Sequence, residues 1–200
     1  MCGRYDLSDS PAAIRAKFGV PAVPQFAPNM DWRPTNNAPI VRLAPDGTRE
    51  CVLARWGLVP GWAPDLKFGA RCINARAETV AKLPAFRGAF RKRRCLVPVN
   101  AFFEWSGEKG QRLKWRIGLR GEPLFALAGL WEWWQDPQGG DGVASYTIVT
   151  CEANAAIASL HDRMPVILRE ADYPRWLDPA ADGQPLLAPF DPEAVQLQRC

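Results

Sequence analysis

The run Leu96-Val97-Pro98-Val99, followed two residues later by Phe102-Phe103-Glu104-Trp105, is the stretch that decides the fold. Short runs rich in apolar, β-branched and aromatic residues predict β-strands. Similar runs recur along most of the chain, whereas helical periodicity is confined to short segments. The predicted strands cover residues 40–43, 50–56, 71–75, 96–99, 102–105, 113–117, 124–131 and 146–150.

A few short segments favour helices instead. Ser10 is a suitable N-cap, and Ile14 and Phe18 give the segment after it an apolar face that ends at Gly19. Further short helices fit residues 85–93, 153–160 and 171–177. Strands dominate and do not alternate regularly with helices, which favours an antiparallel α+β fold over a doubly wound parallel sheet.

The composition fits one globular unit. Apolar residues make up 48% of the 200 residues, including nine Trp and nine Phe, which is ample for a core. We therefore expect a single α+β domain over residues 1–200, in which mostly antiparallel strands form a barrel-like core with short peripheral helices. The start MCGRYDLSDS has no apolar stretch like that of a secretory signal, and no run is long enough for a membrane helix. We expect a monomeric cytoplasmic protein with no membrane partner.

The cysteines and the histidine give no pattern of metal ligands. The six cysteines are scattered without a C-x-x-C pair, and His161 is the only histidine. This spacing predicts neither a structural zinc site nor a disulfide framework. We expect no metal and no cofactor, and most of the thiols should be small buried side chains.

Positive charge is concentrated in one stretch, although the net charge is only +4. The stretch contains Arg87, Arg91, Lys92, Arg93 and Arg94. Such a cluster permits a polyanionic partner, but it suits an ordinary solvated helix face equally well.

Cys2 becomes the N-terminal residue if Met1 is trimmed, as initiator methionine normally is before a small residue. Its amine and its thiol would then sit on adjacent carbons. An α-amine has a pKa of about 7.7 to 8.0, against about 10.4 for lysine, so a useful fraction is neutral at pH 7. Amines condense with aldehydes to Schiff bases, and the neighbouring thiolate can then close a thiazolidine ring. This pair of nucleophiles favours an aldehyde substrate.

A polar strand face follows from the segment around Asn74. In an extended strand Asn74, Arg76 and Glu78 point to one side, while the apolar residues between them point to the core. These polar side chains could line a site. The alternative is an ordinary amphipathic strand.

Glu104 and His161 are the candidate proton-transfer groups. Glu104 lies among large apolar residues, and burial raises a carboxyl pKa towards the range useful for general acid/base catalysis. The alternative is a structural ion pair, for example with Arg76. His161 follows the predicted helix at 153–160 and precedes a turn stiffened by Pro165, a position typical of functional loop residues.

Taken together, these segments resemble the SOS response-associated peptidase family, abasic-site-processing proteins that crosslink to single-stranded DNA. The resemblance rests on segments that run in family order from Met1 to about Trp176. They are Met1-Cys2-Gly3-Arg4-Tyr5, Arg55-Trp56-Gly57-Leu58-Val59-Pro60-Gly61-Trp62, Ile73-Asn74-Ala75-Arg76-Ala77-Glu78-Thr79, Arg94-Cys95-Leu96-Val97-Pro98, Phe103-Glu104-Trp105 and His161-Asp162-Arg163-Met164-Pro165. The family usually has Tyr where this chain has Phe103, so one hydroxyl is lost.

The resemblance implies roles for four residues. Cys2 is the nucleophile, Asn74 orients its amine and thiol, Glu104 shuttles protons and His161 assists. The implied product is a thiazolidine crosslink between Cys2 and the aldehyde of an abasic site in single-stranded DNA. Self-removal of Met1 by a peptidase activity and strand cleavage by a lyase activity are further activities that the family suggests.

Binding of DNA requires cations for phosphates and flat surfaces for bases. Arg4, Arg55 and Arg76 are the candidate phosphate contacts. Trp62 matches the family's base-stacking wedge, and the Pro and Gly residues around it indicate an exposed loop. The alternative for Trp62 is core packing.

Two other functions compete with crosslinking. One is a cysteine peptidase in which Cys2 attacks an amide and Glu104 or His161 is the base, with self-processing of Met1 as its main reaction. The other is a non-catalytic module that binds single-stranded nucleic acid, which would leave Cys2, Asn74 and Glu104 without a role.

Overall fold

The computed structural model describes residues 2–108 and 111–200, and strands make up most of its regular structure. The strands are β1 Tyr5–Leu7, β2 Asn29–Trp32, β3 Asn37–Leu43, β4 Arg49–Trp56, β5 Asn74–Arg76, β6 Arg94–Val99, β7 Ala101–Ser106, β8 Leu113–Leu119, β9 Phe125–Trp134, β10 Val143–Glu152, β11 Arg163–Pro165, β12 Ile167–Leu168 and β13 Val195–Arg199. The α-helices are α1 Pro11–Phe18, α2 Arg87–Lys92 and α3 Tyr173–Leu177, and 3-10 turns cover Leu66–Arg71, Glu170–Asp172, Gln184–Leu186 and Pro192–Ala194.

Five of the strands close into a barrel. The order β10-β4-β3-β6-β9 returns to its start because β9 and β10 also pair with each other. The pairing of β4 with β10 is parallel, and the other pairings of the ring are antiparallel. The predicted α+β fold with mostly antiparallel strands and a barrel-like core is therefore confirmed.

A second, five-stranded sheet lies against the barrel, in the order β13-β8-β7-β1-β2. All of its pairings are antiparallel. Tyr5 of β1 joins the two layers, because its ring centroid lies 5.1 Å from that of Trp56 in β4. Trp56 in turn stacks on Tyr146 of β10 at 6.3 Å. These rings are fully buried, so β1 is fixed between the barrel and the second sheet.

A close approach of two backbone segments explains the glycine that follows β4. Gly57 has φ of +118°, and a Cβ there would lie 2.7 Å from the carbonyl oxygen of Gly69. Only glycine tolerates this conformation and this contact together. The approach holds the segment between them, which includes Trp62, against the end of β4.

The predicted helix at 153–160 is wrong. The structure has a series of turns there, in which the Asn154 side-chain oxygen accepts from the backbone N of Ile157 at 3.1 Å. A side chain that bonds the backbone in this way competes with continued helix. The predicted strand at 71–75 is partly wrong, since Arg71 ends a 3-10 turn and β5 starts at Asn74.

The N-terminal helix is confirmed with its caps. The Ser10 hydroxyl accepts from the backbone N of Ala13 at 3.3 Å, and Gly19 ends the helix with φ of 63°. The helix predicted at 85–93 is shorter, and the one at 171–177 divides into a 3-10 turn and α3. No helix in the described ranges is both long and apolar enough to cross a membrane.

Candidate active site

Cys2 is fully buried at the junction of the barrel and the second sheet. Its backbone carbonyl accepts a hydrogen bond from the side-chain amide of Asn74, with an N to O distance of 2.9 Å. Its thiol points to the carbonyl oxygen of Arg4, with the sulfur at 3.9 Å. Burial and the nearby negative charge of Glu104 raise the pKa of the thiol well above its usual value. The thiol is therefore kept protonated in the resting protein.

Asn74 is positioned by the pairing of β5 with β10. Its backbone lies opposite Ile148 in a parallel ladder, and the backbone N of Ile148 donates to the carbonyl of Ile73 at 3.2 Å. Asn74 is half-buried, Ala75 is buried and Arg76 is exposed, as the alternation predicts. The Asn74 Oδ1 atom is buried and accepts no hydrogen bond within residues 2–108 and 111–200. Asn74 Oδ1 is therefore a hydrogen-bond acceptor that a group bound beside Cys2 can use.

Glu104 comes from β7, in the second sheet. It is only 4% exposed, so the predicted burial is confirmed. The backbone N of Phe103 donates to the carbonyl of Arg4 at 3.0 Å, which ties β7 to the segment that follows Cys2. This ladder brings the carboxylate close enough to act on the Cys2 thiol electrostatically. The two residues are far apart in the sequence, and the fold brings them together.

His161 follows a series of turns at residues 155–160, so its predicted place at a helix end is wrong. Its Nδ1 accepts from the backbone N of Arg163 at 2.9 Å and lies 2.7 Å from an oxygen of the exposed Asp162. The next strand, β11, pairs with the end of β10, and β5 also pairs with β10. The strand that carries Asn74 and the strand that follows His161 therefore both pair with β10.

An ion pair links β11 to the turn that follows β5. Arg163 donates to both carboxylate oxygens of Glu78, at 2.7 and 3.0 Å, and to the carbonyl of Thr150 at 2.7 Å. Glu78 was predicted to share a strand face with Asn74, but it follows the end of β5 in a turn. Its role in the structure is to hold the Arg163 side chain beside the His161 turn.

Trp62 is 59% exposed at the surface, as its Pro and Gly neighbours predict. The backbone N of Ala63 donates to the carbonyl of Pro60 at 2.8 Å, which closes a turn with Trp62 inside it. The indole of Trp134 donates to the carbonyl of Ala63 at 2.8 Å and fixes the turn from below. Trp62 itself contacts Phe68 edge-on, with ring centroids 5.0 Å apart.

The predicted phosphate contacts differ in their surroundings. Arg76 is exposed, whereas Arg4 is half-buried, 3.5 Å from Asp31 and 5.4 Å from the Trp105 ring centroid. Arg55 is also half-buried, its Nη1 has no hydrogen-bond partner within the described chain, and burial lowers its pKa. Of these three arginines, Arg76 is the one that solvent reaches most freely.

The basic stretch at 87–94 is partly structural. The buried Arg94 donates to the carbonyls of Trp176, Phe90, Asp178 and Ala181. Arg93 forms an ion pair with Glu132 at 2.5 Å. The remaining basic residues, Arg87, Arg91 and Lys92, are exposed.

A family model described as SOS response associated peptidase (SRAP) matches residues 1–200. The chain belongs to this SRAP family. It is 37% identical over 206 residues to the abasic site processing protein YoqW of Bacillus subtilis, covering 98% of this chain and 90% of the relative. It is 27% identical to the abasic site processing protein HMCES of Xenopus tropicalis, covering 84% of this chain and 60% of the relative.

Solved structures give the same picture of the fold. A Bacteroides thetaiotaomicron protein superposes with a TM-score of 0.89 at 26% identity, covering 99% of this chain and 91% of that chain. A Bordetella bronchiseptica protein superposes with a TM-score of 0.87 at 26% identity, covering 100% and 99% of the two chains.

The interior of the SRAP chain also holds buried hydroxyl groups that the sequence does not predict. The hydroxyls of Tyr5 and Tyr146 lie 2.7 Å apart and are fully buried, and burial is the main cause of the raised pKa of both tyrosines. Thr150 Oγ1 is buried without a hydrogen-bond partner in the described ranges. Tyr5 lies in the segment that begins Met1-Cys2, which could have indicated its place, but nothing in the strand around Tyr146 and Thr150 indicates theirs.

Within the described residues of this SRAP chain, no group of His, Cys, Asp and Glu is arranged to hold a metal ion. The six cysteines are free thiols, and Cys200 alone among them is exposed. The fold brings the Cys2 thiol, the Asn74 amide and the Glu104 carboxylate together from distant parts of the chain.

Proposed function

We propose that this SRAP chain processes abasic sites in single-stranded DNA by forming a thiazolidine crosslink through Cys2. The observation that carries the proposal is the enclosure of Cys2, with its carbonyl bonded to Asn74 and its thiol under the influence of Glu104. The relatives named as abasic site processing proteins support the choice of substrate.

The reaction begins with release of the aldehyde. Closed-ring deoxyribose is a hemiacetal, so a proton must leave the sugar hydroxyl while another reaches the ring oxygen. Glu104 is the proposed general acid/base for this transfer. The neutral amine of Cys2 then adds to the aldehyde carbon, and the resulting carbinolamine loses one water to give an iminium. The thiol adds to the iminium carbon and loses its proton, which closes the ring.

Asn74 and His161 assist in this scheme. Asn74 holds the Cys2 backbone through its amide nitrogen, and its buried Oδ1 is suited to accept a hydrogen bond from the Cys2 amine. His161, held by its bond from the Arg163 backbone, is the proposed donor to the departing water. The raised pKa of the Cys2 thiol means that a base must take its proton when the ring closes.

Binding of the strand is assigned to Arg4, Arg55, Arg76 and Trp62. The exposed Arg76 follows Asn74 by two residues and suits a phosphate next to the reacting nucleotide. Trp62 projects from its turn and suits stacking on a base. Arg4 and Arg55 are partly enclosed, so their contribution depends on the path that the strand takes.

Removal of Met1 is required, because a retained Met1 would leave Cys2 without a free amine. Met1 lies outside the described residues, so its removal is part of the proposal. Self-removal of Met1 would be a peptidase activity. Elimination of the 3′ phosphate from the iminium would be a lyase activity.

The test uses purified full-length protein and a single-stranded oligonucleotide with one abasic site. The intact protein mass is measured first, and the expected value is that of the chain without Met1. After incubation, denaturing electrophoresis should show an adduct of one protein and one strand. The same oligonucleotide with an intact base at that position is the control and should give none. A mobility shift on a native gel without any denaturation-resistant adduct would overturn crosslinking in favour of passive binding.

A further inference from the structure

The outer face of the second sheet carries a group of cations near the start of the chain. Along β7, Glu104 points to the buried side, so Phe103 and Trp105 point to the other. Lys114 Nζ lies 3.9 Å from the ring centroid of Phe103, and the Arg4 guanidinium lies 5.4 Å from that of Trp105. Two cations are therefore supported by aromatic rings on the face opposite Glu104.

The carboxylate of Asp31 lies beside these cations and beside Arg33. Asp31 of β2 accepts from Arg33 Nε at 2.9 Å and from its Nη2 at 2.5 Å, and Arg4 Nη1 lies 3.5 Å away. The hydrogen bonds from Arg33 hold the pKa of Asp31 below its usual range, and the charges of Arg4 and Lys114 act in the same direction. Three cations thus share one anion.

The surplus positive charge around Asp31 is not neutralised by the neighbouring ion pair, Arg116 with Asp6. Arg116 lies on the same face, but it is matched by Asp6 at 2.8 Å and adds no net charge. Arg33 is 55% exposed along its side chain, so its guanidinium remains reachable from solvent. A cluster with surplus cations, aromatic support and solvent access suits a polyanion.

We propose that Arg33, Lys114 and Arg4 form a phosphate track, a row of cations that binds the phosphates of the strand flanking the abasic nucleotide. In the free protein, the Asp31 carboxylate occupies the position that a phosphate takes when DNA is bound. The proposal rests on the proposed function and names a part of the DNA path that the sequence did not indicate. Arg4 follows Cys2 by two residues, so in the proposed path a strand whose reacting carbon lies at Cys2, on the Glu104 side, crosses to the opposite face of the sheet at Arg4 and continues over Lys114 and Arg33. Phosphodiester oxygens would then replace the Asp31 carboxylate as partners of the cations.

The test measures binding of an unmodified single-stranded oligonucleotide by fluorescence anisotropy over a series of salt concentrations. The variant Arg33→Ala/Lys114→Ala is compared with Arg15→Ala/Arg120→Ala, which removes the same charge from exposed residues in α1 and just after β8. For a single strand, each phosphate that the protein no longer neutralises lowers the steepness of log affinity against log salt by about 0.7, so the steepness for the track variant should fall by about 1.4. Its affinity at low salt should fall roughly tenfold or more.

The control variant should keep the wild-type steepness. Equal behaviour of the two double variants would overturn the track. Asp31→Asn provides an independent measurement, because removal of the competing carboxylate should tighten binding. Weaker binding by a folded Asp31→Asn protein would overturn the idea that Asp31 holds the place of a phosphate.

A parallel assay separates this inference from the proposed function. The wild-type protein is incubated with the abasic oligonucleotide and examined for a denaturation-resistant adduct. Adduct formation with equal salt dependence in both double variants would overturn the track alone. Absence of the adduct, together with a reduced salt dependence of the track variant, would overturn crosslinking and leave the track supported.

Discussion

The Cys2 pocket, formed by Cys2, Asn74 and Glu104, and the Trp62 turn both come from family segments, yet they are built in opposite ways. Cys2 is fully buried, bonded to Asn74 and close to Glu104, and its pKa is raised. Trp62 is 59% exposed on a turn held by a backbone hydrogen bond and by Trp134. The pocket controls the protonation of a few groups, whereas the turn presents an aromatic surface.

Because of this difference, we expect the two regions to affect different quantities: the rate of crosslinking and the affinity for DNA. The proposed catalytic groups are enclosed and would act on the chemical step, so substitutions there should change rates at saturating DNA. An exposed ring acts through stacking, and its removal should change the dissociation constant. Substitutions in the pocket should therefore have larger effects than substitutions on the turn.

The first prediction concerns the N-terminal amine. A chain with an uncleavable N-terminal extension should form no thiazolidine, because its Cys2 has an amide nitrogen in place of an amine. Intact mass confirms the extension, and denaturing electrophoresis with abasic DNA measures the adduct. If the extended protein crosslinks as fast as the trimmed one, a simple thiol adduct must replace the aminothiol mechanism.

The second prediction separates the two nucleophiles of Cys2. Cys2→Ser and Cys2→Ala keep the amine after Met1 removal and lose the thiol. Both should give little stable adduct but an intermediate that borohydride traps, because the Schiff base still forms. Strand cleavage should also appear, since an uncaptured iminium acidifies the neighbouring C–H bond. Absence of any trapped species in both variants would argue against an amine nucleophile.

The third prediction concerns Glu104 and Asn74. Glu104→Ala should slow adduct formation by about 10²- to 10⁴-fold at neutral pH, the range expected for loss of a general acid/base. Asn74→Ala should slow it as well, because the hydrogen bond that holds the Cys2 carbonyl is removed. Rates are measured at saturating DNA. Glu132→Ala is the matched control, since it removes a partly buried carboxylate that pairs with Arg93 away from the pocket. Wild-type rates in both site variants would refute the assignments.

The pocket and the fold were predictable to different degrees. Strand positions followed from local patterns, since each long strand of the barrel has its own apolar run. The proximity of Cys2, Asn74 and Glu104 depends on how β1, β5 and β7 pair with distant strands, which local patterns do not encode. The resemblance to a family supplied that information, residue by residue.

The errors have local physical causes. A helical pattern at 153–160 yields to turns because the Asn154 side chain bonds the backbone. The strands β1, β2, β11, β12 and β13 are two to five residues long and too short for periodicity to detect. The tyrosine pair is invisible in the sequence, because its members are 141 residues apart.

The fourth prediction concerns the exposed surface. Trp62→Ala should weaken binding of single-stranded DNA by about 1 to 3 kcal/mol with little salt dependence, as expected for loss of one stacked base. Arg76→Ala should weaken binding mainly at low salt, because its contribution is electrostatic. Trp133→Ala is the control, as Trp133 is 52% exposed but lies outside the Trp62 turn. Anisotropy measures the affinities and circular dichroism checks the fold. If Trp62→Ala unfolds the protein, the ring belongs to the core.

The fifth prediction uses the buried hydroxyls and thiols, which distinguish the interior from the turn at high pH. Burial raises the pKa of Tyr5 and Tyr146 above the usual 10.0, and that of Cys151 from 9.0 to about 11. A raised pKa in the folded state gives stability that is complete below the unfolded value and is lost as pH rises above it. Unfolding by urea should therefore become easier above about pH 9, first through the thiols and then, above about pH 10, through the tyrosines. Each such group adds a slope of about 1.4 kcal/mol per pH unit.

Tyr146→Phe tests this account. It should cost about 1 kcal/mol at neutral pH, because the Tyr5 hydroxyl loses its partner, and it should make the decline above about pH 10 shallower by about 1.4 kcal/mol per pH unit. Trp62→Phe, which changes no titratable group, should run parallel to the wild type at every pH. An unchanged slope in Tyr146→Phe would mean that this hydroxyl ionises as readily in the folded chain as in the unfolded one. The interior beneath Cys2 would then be open to solvent, and the contrast with the exposed turn would disappear.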